Sequence, residues 1–270
     1  LGDAGSRECQ IRVRSAWDSS NRGDFAPHAN TTVLHTSDML GMQGPTTHLD
    51  LPVLLTVAWN AGLVKIPERV AFAAELSLDG DLRGFRGAAP MARALLAEGI
   101  RAMVVPRSLV AEVEATGMVG LGCNHINRVF DLLDDFPTRL KAPVVTHEPM
   151  VTKRDFADVA VTEGATWPLA VEVAAAGGHG LLLEGCPGSG KTMVASRMPS
   201  LLAMTDATRA EVTDLYSAAG LLPEDTAEIG AVPFRAPHHP CSDVGLYDGS
   251  RHTVRSGECS LAHGGVLFMD

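Results

Sequence analysis

The chain has 270 residues, 46% of them hydrophobic and 20% charged, as expected of a soluble globular protein with room for two domains. No apolar run reaches the length of a bilayer span and no charged-apolar-small pattern opens the chain, so neither a membrane protein nor a secretory leader is expected. Five scattered cysteines and a formal net charge of −10 argue against a disulfide framework and against non-specific coating of nucleic acid, and the expected compartment is the cytoplasm.

The first half reads as α/β. Residues 7–19 can form a helix with Ile11, Val13 and Trp17 as its apolar positions, and residues 31–35 offer one strand in a stretch rich in Asn, Thr, Gly and Pro. Dense apolar residues over 49–64 predict a buried helix closed by Gly62. Residues 72–85 read as a hairpin turning at Asp79-Gly80. A helix over 91–99, a strand over 101–105, a helix over 109–116, a short strand at 119–121 and a helix over 127–135 complete the unit.

Two segments here carry a resemblance. The run from Glu75 to Gly87 (Glu-Leu-Ser-Leu-Asp-Gly-Asp-Leu-Arg-Gly-Phe-Arg-Gly), with the helix after it and Ala102-Met-Val-Val-Pro106, resembles the Lon-protease-like domain. That resemblance implies the fold of the second half of a ribosomal small-subunit protein. Gln43-Gly44-Pro45-Thr46 sits where such proteases carry a nucleophilic serine, but a threonine there needs a base, and the protease lysine would fall near Ala89. The dyad is absent, and the domain (residues 1–140, lacking its opening strands) reads as a non-proteolytic platform.

Pro137, Pro143 and Pro149, with mixed charges, mark a boundary, and residues 141–154 read as a linker. A helix is expected through residues 169–177. Then comes Gly180-Leu-Leu-Leu-Glu-Gly185-Cys186-Pro187-Gly188-Ser189-Gly190-Lys191-Thr192, an apolar run, a glycine-rich loop and the start of a helix. It fits G-x-x-x-x-G-K-[ST] in the strand–loop–helix context that pattern requires. Glycines let consecutive N–H groups point inward at phosphate oxygens, and the helix that follows turns its positive end toward the same anion. Lys191 would then reach the β- and γ-phosphates of ATP, and the Thr192 hydroxyl would ligate Mg²⁺. Pro199 is expected to end that helix, and residues 208–220 to form another, amphipathic one.

Gly265-Val266-Leu267-Phe268-Met269-Asp270 reads as an apolar strand ending in a carboxylate, expected beside the loop strand with Asp270 on the Mg²⁺. Ala174 to His179, the loop, Glu211 to Leu222, Pro233-Phe-Arg-Ala-Pro-His-His239, Ser242-Asp243 and Ser256 to His263 occur in one order. Together they resemble the magnesium-chelatase-like AAA+ ATPases of the competence protein ComM (YifB) group, over nearly the whole chain. The resemblance implies a Lon-like domain followed by an AAA+ P-loop core (residues 155–270), a homo-oligomeric ring, in all expectation a hexamer, and a DNA branch-migration motor in uptake and recombination. Two other readings remain open: the ATPase subunit of a chelatase inserting Mg²⁺ into a porphyrin, and a truncated protein that binds nucleotide without turning it over.

Three departures bear on that. Ala160-Val-Thr-Glu-Gly-Ala-Thr-Trp-Pro168 replaces the short Gly-Gln stretch that leads to the adenine side in the family. The water-polarising glutamate, sensors, arginine finger and lid do not occur within the 270 residues, so no catalytic set is complete and nucleotide binding is expected over hydrolysis. The start at Leu1 and the stop at Asp270 read as cut edges.

His238, His239, Cys241, Asp243, Cys259 and His263 invite a zinc reading without the usual ligand spacing. Alternatively, Arg235, His238 and His239 face a ring pore and touch DNA phosphates, or the segment is a structural turn organised by Pro237 and Pro240.

Overall fold

The computed structural model describes residues 4–20, 22–23, 47–136, 140–141, 143, 155–223, 226–238, 241–247 and 256–270. The chain divides into two compact units: Leu1–Thr146 with Ser217–Ala227, and His147–Tyr216 with Glu228–Asp270. The strand expected over 31–35, the turn at 43–46 and most of the linker lie outside the described residues.

The first unit is built on a three-stranded parallel sheet in the order β1 (Val70–Phe72), β4 (Ala102–Pro106), β5 (Val119–Cys123). All five residues of β4 are buried, as a central parallel strand covered on both faces demands. Strand periodicity then splits its side chains between two cores. Val104 joins Trp17, Leu51, Leu54, Leu76, Ile126 and Phe130 on one face, supplied by α1 (Ala4–Ser19), α2 (Asp50–Asn60) and α5 (Ile126–Asp134). Met103 and Val105 join Ala88, Ala92, Val113 and Met118 on the other, under α3 (Ala88–Ala97) and α4 (Val110–Glu114).

The expected hairpin exists but is shorter: β2 (Glu75–Leu76) pairs antiparallel with β3 (Leu82–Arg83), around a turn in which Gly80 takes φ 89°. Phe72 belongs instead to β1, where it pairs with Val104. Gly62 follows α2 at φ 73°, the left-handed conformation that stops a helix.

One buried charge organises this unit. Asp50, fully buried, accepts from Arg12 Nε at 2.6 Å, from Arg12 Nη2 at 3.1 Å and from the Leu76 amide at 3.2 Å. It thereby ties α1, α2 and β2 together. A second carboxylate, Glu112, accepts from the Ala89 amide at 2.7 Å and from the Ser217 hydroxyl. It satisfies the first turn of α3, whose preceding residue is Gly87 and has no side chain to cap with.

The second unit contains α6 (Trp167–Gly177), α7 (Lys191–Arg197), the first part of α8 (Asp206–Ala219), and a two-stranded parallel sheet. That sheet joins β6 (Phe234–Arg235) to β7 (Val266–Leu267), with α9 (Asp243–Tyr247) and α10 (Glu258–Leu261) between them in the chain. Gly178 closes α6 in the left-handed conformation, φ 63°, and turns the chain into the run that leads to the glycine-rich loop. Among the described residues, no helix is long and apolar enough to cross a membrane.

Candidate phosphate-binding site

The loop begins where the Cys186 carbonyl accepts from the Ser189 amide at 3.1 Å, a tight turn through Pro187 and Gly188. Gly188 at φ 78° and Gly190 at φ 90° occupy conformations that a side chain would strain. Gly185 is small for another reason: a Cβ there would meet Ser189 Oγ at 2.8 Å. Gly190 stands directly before α7, whose first intrahelical bond runs from the Val194 amide to the Gly190 carbonyl at 2.9 Å. The amides of Lys191, Thr192 and Met193 precede that bond and have no partner within the helix.

Lys191 folds back over this turn. Its ammonium donates to the Gly185 carbonyl at 2.7 Å and to the Cys186 carbonyl at 3.1 Å. A cation held, among the described residues, by neutral carbonyls alone, beside helix amides with no partner in the helix and over an exposed backbone turn, is chemically suited to receive a phosphate. The loop therefore fits the triphosphate expected from the sequence, in its cradle and in its charge.

The carboxylate enters from β7. Asp270 and Lys191 line one cavity of about 460 Å³, whose walls are residues 178–183, residues 265–270 and parts of α6 and α7. Thr192, exposed on the first turn of α7, is the residue next to Lys191. A hydroxyl and a carboxylate are hard oxygen donors of the kind Mg²⁺ takes.

Two expectations about this site are corrected. The apolar run before the loop is not a buried strand: residues 180–184 join no ladder among the described residues, and Leu182 is 80% exposed. Nor does the Asp270 strand lie beside that run. β7 pairs with β6, through Val266 to Phe234 and Leu267 to Arg235, and the cavity separates it from Leu181, Leu182 and Leu183. The physical reason is that neither apolar run carries information about its lateral neighbour. Backbone pairing is decided by which edges meet.

The helix carrying the loop is anchored at its far end. Arg197 donates to the Asp155 carbonyl at 2.8 Å and, through Nη2, to Asp158 at 2.8 and 3.0 Å. This holds the Asp158 carboxyl below the ordinary range, chiefly through the hydrogen bond. Nearby, the Phe156 and Trp167 rings stand 6.3 Å apart, so the altered stretch at 160–168 contributes one member of an aromatic pair.

The histidine-rich segment is more committed than its sequence suggested. The Arg235 guanidinium makes two bonds to Glu258, at 2.5 and 2.7 Å, which lowers the Glu258 pKa mainly through that hydrogen bond. Its carboxylate partner in this structure is Glu258. His238 lines the same cleft as Arg235 and Cys241, while His239 lies outside the described residues. His263 Nε2 pairs with Glu211 at 2.7 Å, and among the described residues no three His, Cys, Asp or Glu side chains gather around one metal position. Sequence reasoning missed the pairs Arg197–Asp158, Arg235–Glu258 and Ser217–Glu112. Their partners lie 23 to 105 positions apart, with no local pattern to reveal them.

Comparison with known proteins shows which family the chain resembles. A family model described as magnesium chelatase, subunit ChlI, matches residues 155–270, and a second, described as subunit ChlI of Mg-chelatase, matches residues 1–108. An uncharacterized protein of Mycobacterium tuberculosis (strain ATCC 25618 / H37Rv) is 36% identical over 273 residues, covering 100% of this chain and 53% of the relative. The uncharacterized protein YifB of Escherichia coli (strain K12) is 32% identical over 270 residues, 98% of this chain and 51% of its own length. The competence protein ComM of Haemophilus influenzae is 31% identical over 287 residues, 98% of this chain and 52% of that protein. The chain thus spans about half the length of the curated relatives it matches.

Proposed function

Because the chain belongs to the magnesium-chelatase-like family of ComM and YifB relatives, we propose that its second unit binds Mg·ATP as the nucleotide core of an AAA+ motor acting on DNA. The observation that carries this is the loop itself, with Gly188 and Gly190 in left-handed conformations and the Lys191 ammonium held over them by two carbonyls. In this reading phosphate oxygens replace those carbonyls, and the loop and α7 amides surround the β-phosphate. Thr192 and Asp270 would hold the Mg²⁺, whose positive charge would offset that of the phosphate groups.

The first unit is read as a Lon-like platform without proteolysis. At the position where such a protease would carry its lysine, Ala89 is buried and its amide is held by Glu112. A homo-oligomeric ring, hexameric by family resemblance, would be the working form, in the cytoplasm. The description of the matching family model as a chelatase subunit favours a second reading, a motor for Mg²⁺ insertion into a porphyrin.

Calorimetric titration with Mg·ATP tests the site. The wild-type chain should bind, and Lys191→Ala should lose at least about a hundredfold in affinity, the scale of a charge-assisted contact to phosphate. Unchanged affinity would remove the loop from the mechanism. In the natural gene product, stimulation of ATP turnover by DNA or by chelatase partner subunits separates the two readings.

A further inference from the structure

The first unit holds a cleft of about 330 Å³, walled by residues 84–86, residues 108–112 and residues 217–226. Every residue lining it belongs to that unit. Two opposite charges share the cleft without pairing. Glu112, on α4, is only 6% exposed. Its Oε1 accepts from both the Ala89 amide and the Ser217 hydroxyl, whereas Oε2 has no hydrogen-bond partner among the described residues. Arg86, just before α3, makes no hydrogen bond or ion pair with any described residue. Its position is set by Gly220: a Cβ there would meet Arg86 Nε at 2.5 Å and Cδ at 2.8 Å. The side chain therefore lies along bare backbone that only glycine offers, and Gly220 also takes φ 71°.

A carboxylate and a guanidinium lining one small cleft would gain most by forming a bidentate pair. Here they do not meet, and a nearly buried carboxylate keeps one oxygen without a protein donor. An occupant that carries both an ammonium and a carboxylate satisfies the two at once. We propose that this cleft binds a free α-amino acid with an apolar side chain.

The chemistry of the walls specifies each end of the ligand. Its ammonium, with three donors, meets Glu112 Oε2 and the hydroxyl oxygens of Ser108 and Thr226, which line the same cleft. Its carboxylate takes the planar fork of Arg86. Phe85, Leu109 and Leu222 offer an apolar wall to the side chain. A plain cation would face the guanidinium, and a plain anion would face Glu112, so either alone is opposed by one wall. The size agrees: the cleft lies at the small end of the range for ligand pockets, about 300–1,000 Å³, which suits one amino acid. The occupant would also strengthen a contact already in place. The Gly87 amide donates to the Ser217 carbonyl at 3.1 Å, and Ser217 donates to Glu112, so residues 217–226 are fastened to the segment before α3 and to α4. A ligand spanning Arg86 and Glu112 adds its binding energy to that clasp.

The test titrates the chain, without nucleotide, with L-leucine, L-methionine and L-valine in turn, and follows backbone amides by NMR. Saturable shifts are expected at Gly84 and Gly220, with the amides of β1 unmoved. L-leucinamide, which lacks the carboxylate, and 4-methylpentanoate, which lacks the amine, should each bind at least tenfold more weakly than L-leucine. Glu112→Gln keeps an oxygen for the Ala89 amide and the Ser217 hydroxyl but turns an NH₂ toward the ammonium, and should lose at least tenfold in leucine affinity. Arg86→Gln changes an exposed side chain that the fold does not use, and should lose as much. If Glu112→Gln fails to fold, Arg86→Gln decides. No saturable shift with any of the three amino acids, shifts that include β1, equal binding of either single-charge analogue, or unchanged leucine affinity in Arg86→Gln would each overturn the proposal. Neither nucleotide nor Lys191 enters the measurement, so its result stands apart from the assignment of the phosphate loop.

Discussion

Asp50 and Cys9 show how one side chain can set the chemistry of its neighbours. The Asp50 carboxylate has left water completely and is repaid by the Arg12 guanidinium and the Leu76 amide. Asp50→Ala leaves Arg12 in a largely buried position without its counter-charge, and should cost about 3–5 kcal/mol in urea unfolding. Cys9 borders the same carboxylate. Burial first, and then its hydrogen bond to Asp50, push the Cys9 thiol up to about 12. At pH 8 only about one Cys9 in ten thousand would be thiolate, against about a quarter of ordinary cysteines. Cys186, exposed in the phosphate loop, should therefore be alkylated by iodoacetamide well before Cys9 in the native chain. Mg·ATP should slow the Cys186 reaction, which peptide mapping by mass spectrometry would read directly.

At the scale of the element, the loop and α7 act as one device. Its glycines hold backbone that no other residue holds cheaply, and Lys191 is carried on the first turn of the helix that ends in the Arg197–Asp158 anchor. Gly190→Ala tests that coupling. Left-handed backbone would cost an alanine about 1–2 kcal/mol, and its Cβ would stand 3.3 Å from the Met193 methyl. The expected outcome is a modestly lower melting temperature with at least tenfold weaker Mg·ATP binding. A variant that melts lower but binds normally would mean the left-handed turn matters to folding alone. The element boundaries explain themselves in the same terms. The helices expected over 7–19 and 127–135 occur as Ala4–Ser19 and Ile126–Asp134, because their apolar spacing is a local property. β6, only two residues long, has too little sequence for a period to be seen.

For the whole molecule, the division into two units predicts where a nucleotide will be felt. A ligand that binds the folded state at a hundred times its Kd stabilises it by about 2.7 kcal/mol. In hydrogen exchange, Mg·ATP should protect α6, α7 and the loop between them, and leave the amides of β4 and β5 in the first unit near their free rates. Protection confined to the first unit would place the nucleotide elsewhere. Ser217–Ala227 complicates any reading of domains from sequence order. It follows the phosphate loop in the chain but belongs to the first unit, with Ser217 on the buried Glu112 carboxylate.

The sequence by itself determined the α/β character, the presence of a strand at β4, the glycine-rich loop with its lysine, and the family. All of these rest on short-range patterns: a period, a glycine where φ must be positive, a run of apolar residues. The tertiary structure alone decided that β7 pairs with β6 and that a cavity stands between β7 and the run before the loop. It alone decided that Arg235 is spent on Glu258 and that a carboxylate from α4 caps α3. Those outcomes depend on which distant edges and charges are brought together. Backbone groups and ionised side chains pair with whatever the fold presents, and no local pattern records that choice.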